Sequence, residues 1–162
     1  MATKKVNPVP KGLHAVTPGL TIRDCGKAIE FYVRALGAEV HSRYPAPDGD
    51  GVWHAELRIG NSAVMMNDPM PGMTPEPPST AAPASVGFWL YSPDCDGAYK
   101  RAVAAGASPK MPPADMFWGD RIGTVLDPFG YLWTFATRVK AMTQEEMRKA
   151  GEEFARKNAP GA

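Results

Sequence analysis

Hydrophobic and polar positions run through the same course twice along the chain. The segment Leu20-Thr-Ile-Arg-Asp24-Cys25-Gly-Lys-Ala28 returns seventy positions later as Leu90-Tyr-Ser-Pro-Asp94-Cys95-Asp-Gly-Ala98. Each copy reads as a strand that runs into a helix. In the first, Asp24 predicts an N-cap, Ala28, Tyr32, Ala35 and Leu36 recur at helical spacing, and Gly37 supplies the stop. In the second, Asp94 or Asp96 opens the helix, Ala98, Tyr99, Ala102 and Val103 form its apolar stripe, and Gly106 ends it. After each helix the pattern changes to that of strands. They are expected over 38–44, 52–59 and 62–67 in the first half, with Gly60-Asn61 as a turn, and over 108–111, 123–126 and 131–139 in the second. The turn Asp127-Pro-Phe-Gly130 precedes the last of these, and the same offset of seventy superposes Gly60 on Gly130. Each half is therefore βαβββ. The period is too long for a solenoid and fits two related modules of an α+β protein.

Between the halves, residues 69–83 hold six prolines, which lack the N–H a sheet ladder needs and cannot continue a helix. The organisation that follows is an N-terminal extension over 1–12, a first module over 13–68, a Pro-rich linker over 69–83, a second module over 84–140, and a C-terminal helix and tail over 141–162. Thr143-Gln-Glu-Glu146 has capping-box spacing, with Met142 and Met147 placed as a hydrophobic staple. A helix to about Asn158 follows, with a narrow stripe of Met147, Ala150 or Gly151, and Phe154, suited to docking on the body or on a second subunit.

Composition narrows the function classes. A chain of 162 residues with 18 Lys+Arg against 17 Asp+Glu has no basic field to attract nucleic acid. No apolar run is long enough to span a bilayer, no apolar stretch follows Lys4-Lys5 as a secretory signal would require, and two cysteines are too few for a disulfide framework. A cytoplasmic protein without nucleic-acid or membrane partners is expected. With 16 Gly and 17 Pro, about a fifth of the chain, many short elements and much turn are expected as well.

Residues able to carry chemistry are few. His54 and Glu56 stand two apart on one expected strand, as do Glu39 and His41 on the one before, so each pair shares a face. If the strands pair in register, these four meet in a metal site; otherwise they are the wet face opposite Ala55, Leu57 and Ile59. His14 leads into the first strand. Aromatics give a second signal: Trp53, Trp89, Tyr91, Phe117, Trp118 and Trp133, with Met65, Met66 and Met116 nearby, suit either a pocket for a planar ligand or core packing. Parity assigns Trp133 and Phe135 to the core. Asp120 and Arg121 can pair with each other, present charge to a ligand, or form an ordinary surface salt bridge. Cys25 and Cys95 fall in the first turn of a helix, where the dipole lowers a thiol pKa; having no redox partner, they read as inheritance of the repeat. Nucleotide-binding and hydrolase motifs are absent, so no cofactor is expected.

The two modules, the segment Val16-Thr-Pro-Gly-Leu-Thr-Ile-Arg-Asp24 with Ala28-Ile-Glu-Phe-Tyr32 and Leu36-Gly37, and the turn Asp127-Pro-Phe-Gly130 together resemble the glyoxalase/bleomycin-resistance/dioxygenase (vicinal oxygen chelate) superfamily. Phe117-Trp-Gly-Asp-Arg121, His54-Ala-Glu-Leu57 and the tail from Met142 to Met147 are similar to its bleomycin-resistance-like or PhnB-like branch. The resemblance implies a curved, cup-like eight-stranded mixed sheet with helices outside and a ligand cavity inside, with Trp89 and Tyr91 facing the cavity and Val86, Phe88 and Leu90 the helix. It also implies a homodimer. Metal-dependent members hold one ligand on each of four strands, positions that fall on Thr17, Gly87, Thr134 and either Val64 or Met65 in this chain.

A divalent ion needs imidazole, carboxylate or thiolate donors, so no metal is expected at those positions. The leading expectation is metal-independent sequestration of a small planar or aromatic molecule by Trp89, Tyr91, Trp118, Met65, Trp53, His54 and Arg121. The alternatives are a lyase, isomerase or dioxygenase with a displaced metal site at His41, His54, Glu56 and Glu39, an acid-base catalyst using His54 with Glu56, or a self-filled cup with a purely structural role. No catalytic residue is assigned.

Overall fold

The computed structural model describes residues 6–158. The chain divides into two compact units, Met1–Pro78 and Ser79–Ala162. The first carries β1 (Gly19–Thr21), α1 (Cys25–Leu36), β2 (Glu39–Pro45), β3 (Val52–Ile59) and β4 (Ser62–Asn67). The second carries β5 (Gly87–Tyr91), α2 (Cys95–Ala104), β6 (Ser108–Asp115), β7 (Asp120–Leu126), β8 (Leu132–Arg138) and α3 (Gln144–Lys157). This is the expected α+β fold of two tandem βαβββ modules with a C-terminal helix. The eight strands are hydrogen-bonded as two four-stranded sheets, in the orders β1-β4-β3-β2 and β5-β8-β7-β6. In each, the first strand lies parallel beside the fourth and the remaining pairs are antiparallel.

In the first unit α1 buries Ala28, Ile29, Tyr32, Ala35 and Leu36 at helical spacing. Leu20, Ile22, Leu57, Val64 and Met66 are buried on the sheet, where register puts Leu57 opposite Val64 and Leu20 beside Met66. Gly37 closes the helix in the left-handed region at φ 69°, its N–H donating to Tyr32 O. The N-terminus is built differently from the expectation. Asp24 sits at the N-cap position in the left-handed region, and its side chain makes no capping bond. Asp68, just past β4, reaches across instead and accepts the N–H groups of Cys25 at 2.9 Å and Val52 at 2.7 Å. A long-range carboxylate thus replaces the local cap.

In the second unit Asp94 caps α2 directly, accepting from Gly97 N at 2.9 Å. Thr137 completes the end of that helix: its hydroxyl accepts from Cys95 N and donates to Ser92 O. Phe135 and Trp133 are buried, as parity predicts. Asp127 is fully buried; Oδ1 accepts the N–H groups of Phe129 and Tyr131, and Oδ2 accepts Trp133 Nε1 at 3.0 Å. The carboxylate therefore builds the turn and orients the core indole together.

Two strands run longer than expected. Strand β6 continues to Asp115 through Pro109, Pro112 and Pro113, and its pairing with β7 is irregular around Met111. It is an edge strand, so an absent N–H on its outer side costs no ladder bond. Strand β7 correspondingly begins at Asp120. Helix α3 carries the capping box, with Thr143 accepting from Glu146 N and Glu146 accepting from Thr143 N, and ends at the Asn158 C-cap. No described helix is long and apolar enough to cross a membrane.

Candidate functional site

The face of the second sheet turned away from α2 carries alternate residues of its strands. On β5 these are Gly87, Trp89 and Tyr91, standing beside Leu132, Thr134 and Ala136 of β8. Strand β8 in turn pairs Thr134 with Thr124, Ala136 with Ile122 and Arg138 with Asp120 of β7. Phe88, of opposite parity, stacks on buried Trp133 with ring centroids 4.8 Å apart. Trp89 and Tyr91 are 51% and 59% exposed, their ring centroids 6.4 Å apart. Large aromatic side chains adjacent on one face and half in water are apolar surface that folding of this unit leaves uncovered.

Asp120 organises this face. It is 7% exposed, and its Oδ2 accepts both the Tyr91 hydroxyl at 2.9 Å and Trp118 Nε1 at 3.2 Å. The contact crosses β8 diagonally, since Tyr91 stands beside Ala136 while Asp120 stands beside Arg138. The hydrogen bond to Asp120 pushes the Tyr91 phenol above its ordinary pKa, assisted by desolvation and by the carboxylate's charge, while Arg138 pulls it down. Thr124 and Thr134 add a hydroxyl pair, Oγ1 to Oγ1 3.0 Å. The sequence pointed to Trp89, Tyr91 and Trp118 but read Asp120 as a partner for Arg121. The parity of Asp120, Ile122 and Thr124 would have placed the carboxylate on the aromatic face, had the start of β7 been known.

Arg121 points the other way. Its guanidinium grips Asp96 of α2 through Nε at 2.5 Å and Nη2 at 2.9 Å, and Asp115 of β6 through Nη1 at 3.0 Å. The bidentate pair holds the Asp96 carboxyl below its ordinary pKa and raises that of Arg121. The expected pairing of Asp120 with Arg121 is replaced by this clamp between helix and sheet.

In the first unit, His54, Glu56 and Arg58 alternate with buried Ala55, Leu57 and Ile59 and are themselves only partly exposed. Glu56 pairs with Arg58 at 2.7 Å, and Arg58 also donates to Gly12 O. Register places Tyr44 opposite His54, the rings stacked at 6.3 Å, and Ser42 opposite Glu56. His41 falls in the register shift between Val40 and Ser42, so the four-residue metal set does not assemble: Glu39 faces Arg58 and a serine stands where the second histidine was expected. Among the described residues there is no group of three or more His, Cys, Asp or Glu placed to hold a metal ion. Met65 lies between Gly19 and Glu56 in the register, and Trp53 is 43% exposed near the start of β3. His14 lies in the loop before β1, where its carbonyl accepts the Thr17 hydroxyl at 3.0 Å.

The positions that hold metal in metal-dependent relatives do not fit a divalent ion here. Thr17 lies outside β1 with its hydroxyl bonded locally, the Thr134 hydroxyl is paired with Thr124, Gly87 has no side chain, and Val64 and Met65 offer a hydrocarbon and a thioether. Neither cysteine is poised as a nucleophile. Both are buried, and burial, aided by the Asp68 charge, pushes the Cys25 thiol up to about 12. Cys95 is raised as well, chiefly by desolvation. Burial outweighs the helix-terminal effect that the sequence position suggested.

Comparison with known proteins agrees with this architecture. The model of the Glyoxalase/Bleomycin resistance protein/Dioxygenase superfamily matches residues 12–135. An uncharacterized protein of Mycobacterium bovis is 37% identical over 139 residues, 84% of this chain and 91% of that protein. Among solved structures, TioX from Micromonospora sp. ML1 is similar at 29% identity and a TM-score of 0.59, covering 80% of this chain and all of that one. A PhnB protein from Bacillus cereus, described as a possible 3-demethylubiquinone-9 3-methyltransferase, shares the fold at 16% identity and a TM-score of 0.59, over 76% of this chain and 99% of its own. The repeated βαβββ topology and the match across both halves place the chain in the glyoxalase/bleomycin resistance/dioxygenase superfamily.

Proposed function

We propose that the chain binds a small planar molecule without metal, on the open face of its second sheet, through Trp89, Tyr91 and Trp118. The observation that carries the reading is the buried Asp120 carboxylate fixing two of these aromatics from one oxygen while Trp89 and Tyr91 remain half exposed. Rings held in place before a ligand arrives lose little freedom on binding, and their faces suit stacking. Tyr91 has one O–H and Trp118 one N–H, and both are spent on Asp120. Beside the Trp89 indole N–H, what the three residues still offer is the Tyr91 oxygen and π surface, which suits a planar ligand carrying hydrogen-bond donors, such as an aromatic amine.

Sequestration, with no chemical step, fits a face that presents no nucleophile and no donor set for a divalent ion. Trp53, His54 and Met65 belong to the first unit and are left out of this reading, and Arg121 is engaged by Asp96 and Asp115. Pairing into a homodimer, which rests on the resemblance, and a cytoplasmic setting, expected from the chain's composition, complete the proposal.

The test is calorimetric titration of the protein with proflavine, a planar cationic amine, and with anthracene-9-carboxylate as an anionic counterpart. Proflavine is expected to bind more tightly, and Trp89→Ala to weaken it by about 1–3 kcal/mol, the range of a lost aromatic stacking partner. Absence of binding by both probes, or binding unchanged in Trp89→Ala, overturns the reading.

A further inference from the structure

Helix α3 has no buried residue, yet its apolar stripe meets the loop between β6 and β7. Phe154 packs on Phe117 with ring centroids 5.1 Å apart, and Gly151 lies so close that a Cβ there would stand 3.4 Å from Phe117 Cε2. Phe117 in turn meets Trp118 edge to face at 5.0 Å and 87°. Trp118 donates to Asp120, which receives Tyr91 on the same oxygen. The backbone runs in parallel with this chain of side chains. Gly119 O accepts the N–H groups of Val139 and Lys140, at the start of the segment leading to α3, and Met116 N donates to Asp120 O at 2.7 Å. Gly119 has φ 95°, and a Cβ on it would stand 2.5 Å from Lys140 O, so the loop's approach requires glycine.

We infer that α3 is part of the binding device: by pressing Phe154 against Phe117 it sets the orientation of Trp118 on the Asp120 oxygen. Phe154 and Phe117 are positioning residues, since neither touches the polar atoms of the aromatic face. Besides this ring contact the helix has local support from a capping box and the pairs Arg148 with Glu145 and Glu152, and Lys157 with Glu153. The inference about affinity rests on the proposed function; the inference about Trp118 does not.

Both are tested on the full-length, 15N-labelled protein. Its four tryptophans give four indole N–H signals, with that of Trp118 identified by its loss in Trp118→Phe. In Phe154→Ala the Trp118 signal is expected to shift and its hydrogen exchange to quicken, while the signal of Trp133, bonded to Asp127, stays in place and reports an intact core. Phe154→Leu, which keeps apolar contact, is expected to restore most of the Trp118 protection. Proflavine affinity should fall by about three- to tenfold in Phe154→Ala, as expected for one aromatic contact. A Trp118 signal unmoved in Phe154→Ala overturns the inference, as does equal disturbance of Trp118 and Trp133 in both variants. If proflavine does not bind the unaltered protein, the proposed function fails while the indole measurement still decides the role of α3.

Discussion

The open face of the first sheet satisfies its own charges, whereas that of the second gathers aromatics around one carboxylate. On β3, Glu56 is paired with Arg58, and Arg58 is also bonded to the loop at Gly12. On β7, Asp120 takes two neutral donors from aromatic side chains and leaves the Tyr91 ring more than half exposed. The modules share strand order, register logic and even the placement of a buried cysteine at each helix start. Duplication has preserved the scaffold and let the face away from the helix diverge, because that face contributes least to each module's core.

The inner parts diverge as well, and this can be tested. Asp127 accepts three donors inside the second module, whereas the corresponding turn of the first, Gly60-Asn61, is exposed. Asp127→Ala should destabilise by about 3–4 kcal/mol, since it strands two backbone donors and an indole, while Asn61→Ala should stay within about 0.5 kcal/mol. Urea denaturation measures both; equal effects would mean that the modules are built alike after all. Next in size is the tie at each helix start. Asp68→Ala removes a carboxylate that holds two backbone N–H groups and should cost about 2 kcal/mol, and Thr137→Val, which removes one acceptor, about 1 kcal/mol.

A further difference is in alkaline behaviour. The folded Cys25 thiol lies at about 12 against 9.0 for an ordinary cysteine. Between those values the unfolded chain has lost a proton that the folded one keeps, so the stability associated with the neutral thiol is complete below about pH 9 and is lost as pH rises toward 12. Asp68→Asn removes one of the causes and should bring the Cys25 thiol down, making it react sooner with a thiol reagent, with Cys95 as the internal reference. No change in Cys25 reactivity would show that burial alone sets it.

Much of this molecule was legible in its sequence because the signals were local. Periodicity placed α1 and α2, Gly37 and the capping box marked helix ends, and alternation assigned Trp133 and Phe135 to the core. Strands β6 and β7 were read short because prolines argue against strands everywhere except at an edge, and edge status is a property of the sheet. The site was legible by half. The facing of Trp89 and Tyr91 is what the resemblance implies, but the Asp120 hydrogen bonds depend on β5, β7 and the residues just before β7 meeting across the sheet.

The sequence by itself determined the repeat, the βαβββ order and the core faces, since each follows from residue type and spacing along one segment. Only the tertiary structure decided that His41 falls in an irregularity away from His54, that Asp68 and not Asp24 holds Cys25, that Arg121 is taken by Asp96, and that Asp120 gathers Tyr91 and Trp118. These are contacts between segments distant in the chain, set by register.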